Sequence, residues 1–167
     1  MLAFGLLAVL AFAGQQTVVH PANPTTCTGG AVKAPTGPFA VWVFCEDALG
    51  THIGVVYADH MGAPSDRAWG INDRFWQEGP WASDVQTFAW SQDGTTLFVS
   101  TGAVYGSSTL YQLDVHDRKV YELIAAAPDH DVQILLVTPK TIRYRLRNVE
   151  TQATRVGEAR IRERRGK

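Results

Sequence analysis

Residues Val85–Ile124 read VQTFAWSQDGTTLFVSTGAVYGSSTLYQLDVHDRKVYELI. Four runs rich in β-branched, aromatic and leucine residues, Val85–Trp90, Thr96–Ser100, Thr109–Asp114 and Lys119–Ile124, are each bounded by turn formers. Ser91-Gln92-Asp93-Gly94 is the strongest of these breaks, because Asp bonds its own backbone and Gly accepts positive φ at little cost. A Gly/Ser-rich loop and a His116-Asp117-Arg118-Lys119 turn supply the other two. The stretch is therefore expected to be an antiparallel four-stranded meander. In its first strand Gln86, Phe88 and Trp90 share one face and Val85, Thr87 and Ala89 the other. The large rings mark the first set as the face packed on a neighbouring sheet, with Trp90 and Leu97 in the core.

The same texture extends outward. Phe39–Cys45 and His52–Ala58 flank Glu46–Thr51 as a hairpin, and Val132–Val137, Thr141–Arg147 and Gln152–Val156 follow the central stretch. No helical period is visible from residue 39 onward, so the expected class is all-β, an antiparallel meander of nine or ten strands. Tyr111–Leu123 aligns without a gap on Tyr144–Val156, matching Tyr111 to Tyr144, Leu113 to Leu146, Asp117 to Glu150 and Leu123 to Val156. Both segments then read as a third strand, a polar turn and a fourth strand, with the tyrosines and leucines buried. Phe39–Ala58 would supply the second and third strands of an earlier unit, and Ala68–Asn72 its fourth.

The central unit resembles the blade of TolB-type and Trp-Asp-type β-propellers, in which WSPDG precedes the second strand, here Trp90-Ser-Gln-Asp-Gly94, and LYxLD forms the third, here Leu110-Tyr-Gln-Leu-Asp114. The match covers about a quarter of the chain. The resemblance implies propeller-blade-like sheets, a periplasmic setting and protein partners, and it carries over no functional residue. A closed propeller needs at least four blades. The units read here therefore lead to a ring completed by copies of the chain as a homo-oligomer, to a piece of a longer protein, or to an incomplete propeller folded as a sandwich.

Leu2–Phe12 is an uncharged apolar run too short to span a bilayer and ends in Ala11-Phe12-Ala13, the pattern of a secretory signal peptide over residues 1–13. Residues 14–38 form a Pro/Thr/Gly-rich lead-in, 39–157 the all-β domain and 158–167 a basic tail. An exported, periplasmic or secreted protein keeps disulfides, and its two cysteines, Cys27 and Cys45, are expected to bridge the lead-in to the first long strand. Such a loop closure is worth ~3 kcal/mol in the chain-entropy model.

The sequence holds no G-x-S-x-G elbow, H-E-x-x-H or P-loop, and no metal-ligand spacing of Cys or His. No catalytic residue, metal or cofactor is assigned, and the expected role is an exported, non-catalytic binding or interaction module. Two surfaces stand out. Residues 59–84 form a long insertion in which Trp69, Trp76, Trp81 and Arg74 could stack on and hydrogen-bond a sugar, the alternative reading being a lectin-like protein. A hydrolase with an unrecognised site is the other alternative. The second surface is electrostatic. Residues 140–167 hold ten Lys or Arg against three acids, while the rest of the chain is net acidic. Arg143, Arg145 and Arg147 alternate with Ile142, Tyr144 and Leu146 and so share one strand face, suited to an anionic envelope component or an acidic protein. Nothing pairs basic patches with stacking aromatics, so nucleic acid is not an expected partner.

Overall fold

The structure is a computed structural model. It describes residues 17–21, 31–46, 50–57, 69–70, 85–102 and 108–163. Residues 1–13, expected as a signal peptide, together with Cys27, Arg74, Trp76, Trp81 and residues 164–167, lie outside the described residues.

The described chain is all-β, with no helix. Its strands are β1 (Val19–Pro21), β2 (Ala31–Lys33), β3 (Phe39–Glu46), β4 (Gly50–Tyr57), β5 (Trp69–Gly70), β6 (Val85–Trp90), β7 (Thr96–Thr101), β8 (Thr109–Asp114), β9 (Lys119–Ala125), β10 (His130–Val137), β11 (Thr141–Asn148) and β12 (Thr154–Arg160). They form three open antiparallel sheets: a leading sheet β2-β3-β4-β5, a central sheet β1-β6-β7-β8-β9 and a third sheet β10-β11-β12. Ala68–Asn72 does contain the fourth strand of the leading sheet, and β3 and β4 are its second and third. The strands beyond those expected, β1 and β2, have three residues each, too few to show a two-residue period.

Stacking makes the core. The central sheet lies between the other two and is buried on both faces. On one side Phe39, Val41 and Ala34 pack against Phe88, Trp90, Leu97, Val99 and Leu113. On the other, Ala89, Phe98 and Leu110 meet Val132, Ile134, Ile142, Tyr144 and Leu146. Trp90 and Leu97 are in the core as expected, and Ala89 is fully buried as well. The expected face assignment fails at one residue: a β-bulge between Val85 and Thr87 turns Val85 onto the side of Phe88 and Trp90. Tyr144, Leu146 and Leu113 are buried, while Tyr111 sits at the rim of its cluster, half-buried.

The β6–β7 turn ties the leading and central sheets together. Asp93 Oδ1 accepts bonds from Ser91 Oγ (2.6 Å), Thr95 N–H (3.1 Å) and Thr95 Oγ1 (2.9 Å). Gly94 takes φ +65°, and a Cβ there would lie 2.3 Å from the carbonyl oxygen of Thr36. Thr36 Oγ1 donates to the Asp93 carbonyl at 2.5 Å, and Trp90 Nε1 donates to the Val32 carbonyl at 3.2 Å.

The topology corrects the repeat alignment. β10 follows directly on β9, so β11 and β12 are the second and third strands of their sheet, not the third and fourth. The register past the turn differs as well. Leu113 pairs with Val120 whereas Leu146 pairs with Arg155, so the second turn is longer and Leu123 does not correspond to Val156. Leu123 packs against the core while Val156 is exposed. The two segments look alike because any inward-facing tyrosine and leucine followed by a hairpin gives that pattern. Alternation specifies which face a residue takes, not which place its strand holds in a sheet.

Candidate functional site

Because β11 packs Ile142, Tyr144 and Leu146 against the central sheet, the two-residue period turns Arg143, Arg145 and Arg147 to the outer face of the third sheet. Arg143 and Arg145 are exposed and Arg147 is partly so. Their cross-strand neighbours decide how available they are. Arg147 Nη2 pairs with the buried carboxylate of Asp131 at 2.6 Å, and Arg145 donates to the Gln133 side-chain oxygen. Arg143 stands opposite Leu136 and Glu158 and makes no hydrogen bond or ion pair among the described residues. On the other side of β11, Arg160 stands opposite Thr141 and is exposed. Four cations thus share a face with two carboxylates, Asp131 and Glu158.

At the end of this sheet a cleft of about 630 Å³ opens between the third and central sheets. It is assembled from the β6–β7 turn, the β10–β11 turn, the inner face of β8 and β9, and the segment Ile161–Glu163 after β12. That segment is strapped to the central sheet by one buried side chain: the Arg162 N–H donates to Gln112 Oε1 and Gln112 Nε2 donates back to the Arg162 carbonyl, both at 2.8 Å. The Arg162 guanidinium lies 5.3 Å from the Tyr121 ring centroid, a cation–π contact. Ile161 N–H bonds the Lys140 carbonyl at 2.9 Å, closing the strap onto the neighbouring turn. Sequence reading missed this cleft. The available signal was Gln112, a polar residue in a strand otherwise filling the core.

Two of the three acids lining the cleft, Asp93 and Asp114, are engaged within their own turns, and Glu163 is the third. Burial pushes the Asp93 carboxyl up, but the hydrogen bonds from Ser91 and Thr95 outweigh it and hold the group below the usual carboxylate range. Asp114 Oδ1 accepts the N–H groups of His116 and Asp117, both at 3.1 Å. Lys140 and Arg160, by contrast, have no carboxylate partner among the described residues.

Asp129 and His130 form a clasp between two turns. Asp129 Oδ1 meets His130 Nδ1 at 2.7 Å and Oδ2 accepts from Asn148 Nδ2 at 2.5 Å. The bond from His130 holds the Asp129 carboxyl below its ordinary range. Together with the bond from Val149 N–H to the Asp129 carbonyl at 2.8 Å, these contacts fasten the turn before β10 to the turn after β11. No group of three or more His, Cys, Asp or Glu that could hold a metal occurs among the described residues. No helix among them is long and apolar enough to cross a membrane.

Of the aromatic insertion, only Trp69 and Gly70 are described, paired as β5 with Val55 and Gly54. Arg74, Trp76 and Trp81 lie outside the described residues. So does the Cys27 end of the expected bridge, while Cys45 lies in β3 opposite Thr51. Comparison with known protein families, curated proteins and solved structures finds no match.

Proposed function

We propose that this protein is an exported, non-catalytic interaction module of propeller-like sheets that meets an anionic partner through the outer face of β10-β11-β12. One observation carries the reading. The third sheet packs an apolar inner face on the core, yet its outer face sets four arginines against two carboxylates, and Arg143 and Arg160 form no ion pair among the described residues. A sheet face needs only solvation to be stable, and alternating lysines and glutamates would give it. A net positive face adds electrostatic steering toward negative surfaces. The TolB-like texture of Val85–Ile124 and the leader-like start agree with an envelope setting.

The test is binding of the purified protein to anionic vesicles, acidic glycans and acidic proteins over a range of ionic strength. The wild type should bind one of these with affinity that falls as salt rises. Replacing Arg143, Arg145 and Arg147 together with serine should weaken that binding and flatten its salt dependence, with an unchanged circular dichroism spectrum. Equal binding by the variant would refute the assignment of this face.

A further inference from the structure

We infer that the anionic partner is a linear acidic polysaccharide, lying along β11 with one end in the cleft between the third and central sheets. This rests on the arginine face being the contact surface and adds the partner's chemical class and a second, recessed part of the site.

The geometry is continuous. Alternate residues of a strand are ~6.6 Å apart, so Arg147, Arg145 and Arg143 form a ladder of ~13 Å running toward Thr141. Thr141 and its cross-strand partner Arg160 both line the cleft, beside Lys140 of the preceding turn. The cationic track therefore leads from an open sheet face to the mouth of a recess, with Glu158 alone as an acid beside it between Arg143 and Arg160. A bilayer surface or a folded acidic protein can cover the ladder, but neither follows it into the cleft. A chain one sugar wide can do both.

The recess also has the right lining. Its volume, about 630 Å³, lies within the range of small-ligand pockets. Lys140 and Arg160 at the mouth are free to meet a carboxylate or sulfate. Asp93 Oδ1 and Asp114 Oδ1 are engaged by their own turns. Tyr121, stacked beneath the Arg162 guanidinium, offers a ring of the kind sugar C–H faces pack on, and Glu163 an acceptor for hydroxyls.

The experiment is calorimetric titration of the full chain with an oligogalacturonate of five sugars, with neutral maltopentaose and with phosphatidylglycerol vesicles. Three proteins are compared: wild type, the Arg143→Ser/Arg145→Ser/Arg147→Ser variant and the Lys140→Ala/Arg160→Ala variant. The oligogalacturonate should bind and maltopentaose should not. Each variant should lose about fivefold or more in affinity, the combined effect expected of two or three partly exposed ion pairs. If the Lys140/Arg160 variant fails to fold, Lys140→Glu alone, on an exposed turn, should give the same loss. Wild-type affinity in the cleft variant, with loss in the ladder variant, would overturn the recessed site and leave the arginine face standing. Binding to vesicles without binding to oligogalacturonate would overturn the polysaccharide and keep an anionic partner. No binding to either probe would overturn the polysaccharide and remove support from the arginine-face reading too.

Discussion

Gly94 is the sharpest point at which to test the packing. Replacing it with alanine keeps the hairpin sequence otherwise intact and adds one methyl group. The φ of +65° then places an L side chain in the left-handed region, at a cost of ~1–2 kcal/mol. The added Cβ would also stand 2.3 Å from the Thr36 carbonyl oxygen, so the β2–β3 turn must retreat. Retreat breaks the Thr36 Oγ1–Asp93 carbonyl bond, worth ~1 kcal/mol. Gly94→Ala should therefore destabilise by about 2–3 kcal/mol, read as a lower urea midpoint with an unchanged slope. Gly94→Asn separates the two causes. Asn tolerates the left-handed region but carries the same Cβ, so it should recover most of the conformational cost and none of the clash. A loss below about 0.5 kcal/mol for Gly94→Ala, within the range of ordinary surface substitutions, would show that the leading and central sheets do not meet at this turn.

Leu97→Ala, at a fully buried site facing the leading sheet, should cost ~2–5 kcal/mol in the same assay; a loss under 1 kcal/mol would mean that this interface is loosely packed. Gly157→Ala should destabilise the third sheet, because its Cβ would fall 2.5 Å from the Tyr144 ring, and Tyr144→Ala should relieve that clash in the double variant. Gln112→Leu keeps the side-chain volume but removes both bonds to Arg162, so hydrogen exchange at the Arg162 amide should accelerate well beyond that of the preceding β12 amides; unchanged protection would refute the strap. The His20 imidazole, stacked on Phe88 with ring centroids 5.1 Å apart, is held below its ordinary pKa by burial. The unfolded chain then binds more protons, so stability contributed by β1 should fall as the pH drops through and below about 6.5. His20→Phe should remove that slope, seen in urea midpoints measured from pH 5 to pH 8.

The central meander was legible because its turns carry their own chemistry: Asp93 and Gly94 specify a hairpin whatever surrounds them. The arginine face was legible for a related reason, since a two-residue period survives any stacking of the sheet. Position within a sheet was not. Tyr144 and Leu146 announce an inward face, but nothing local distinguishes a second strand from a third, and the gapless likeness to Tyr111 and Leu113 pointed to the wrong one. The bulge at Val85 is similarly invisible, being a property of the pairing with Ser100 and Thr101. The cleft was beyond reach altogether, because Asp93, Lys140 and Arg162 become neighbours only when two sheets stack.

The connectivity of the strands also bears on how the chain finds its structure. Almost every pairing in the three sheets joins strands that follow one another in sequence, so each sheet can zip up from its own turns at small loop-closure cost. β1 is the exception, since it reaches across the entire leading sheet to pair with β6. Its three residues cannot hold that position until β6 already presents an ordered edge. The bond from Trp90 to Val32 and the Gln112–Arg162 strap, whose partners lie 58 and 50 residues apart, are likewise contacts between finished sheets. Assembly is thus expected to run from independent hairpins to stacked sheets, with β1 the last strand to arrive and the first to leave.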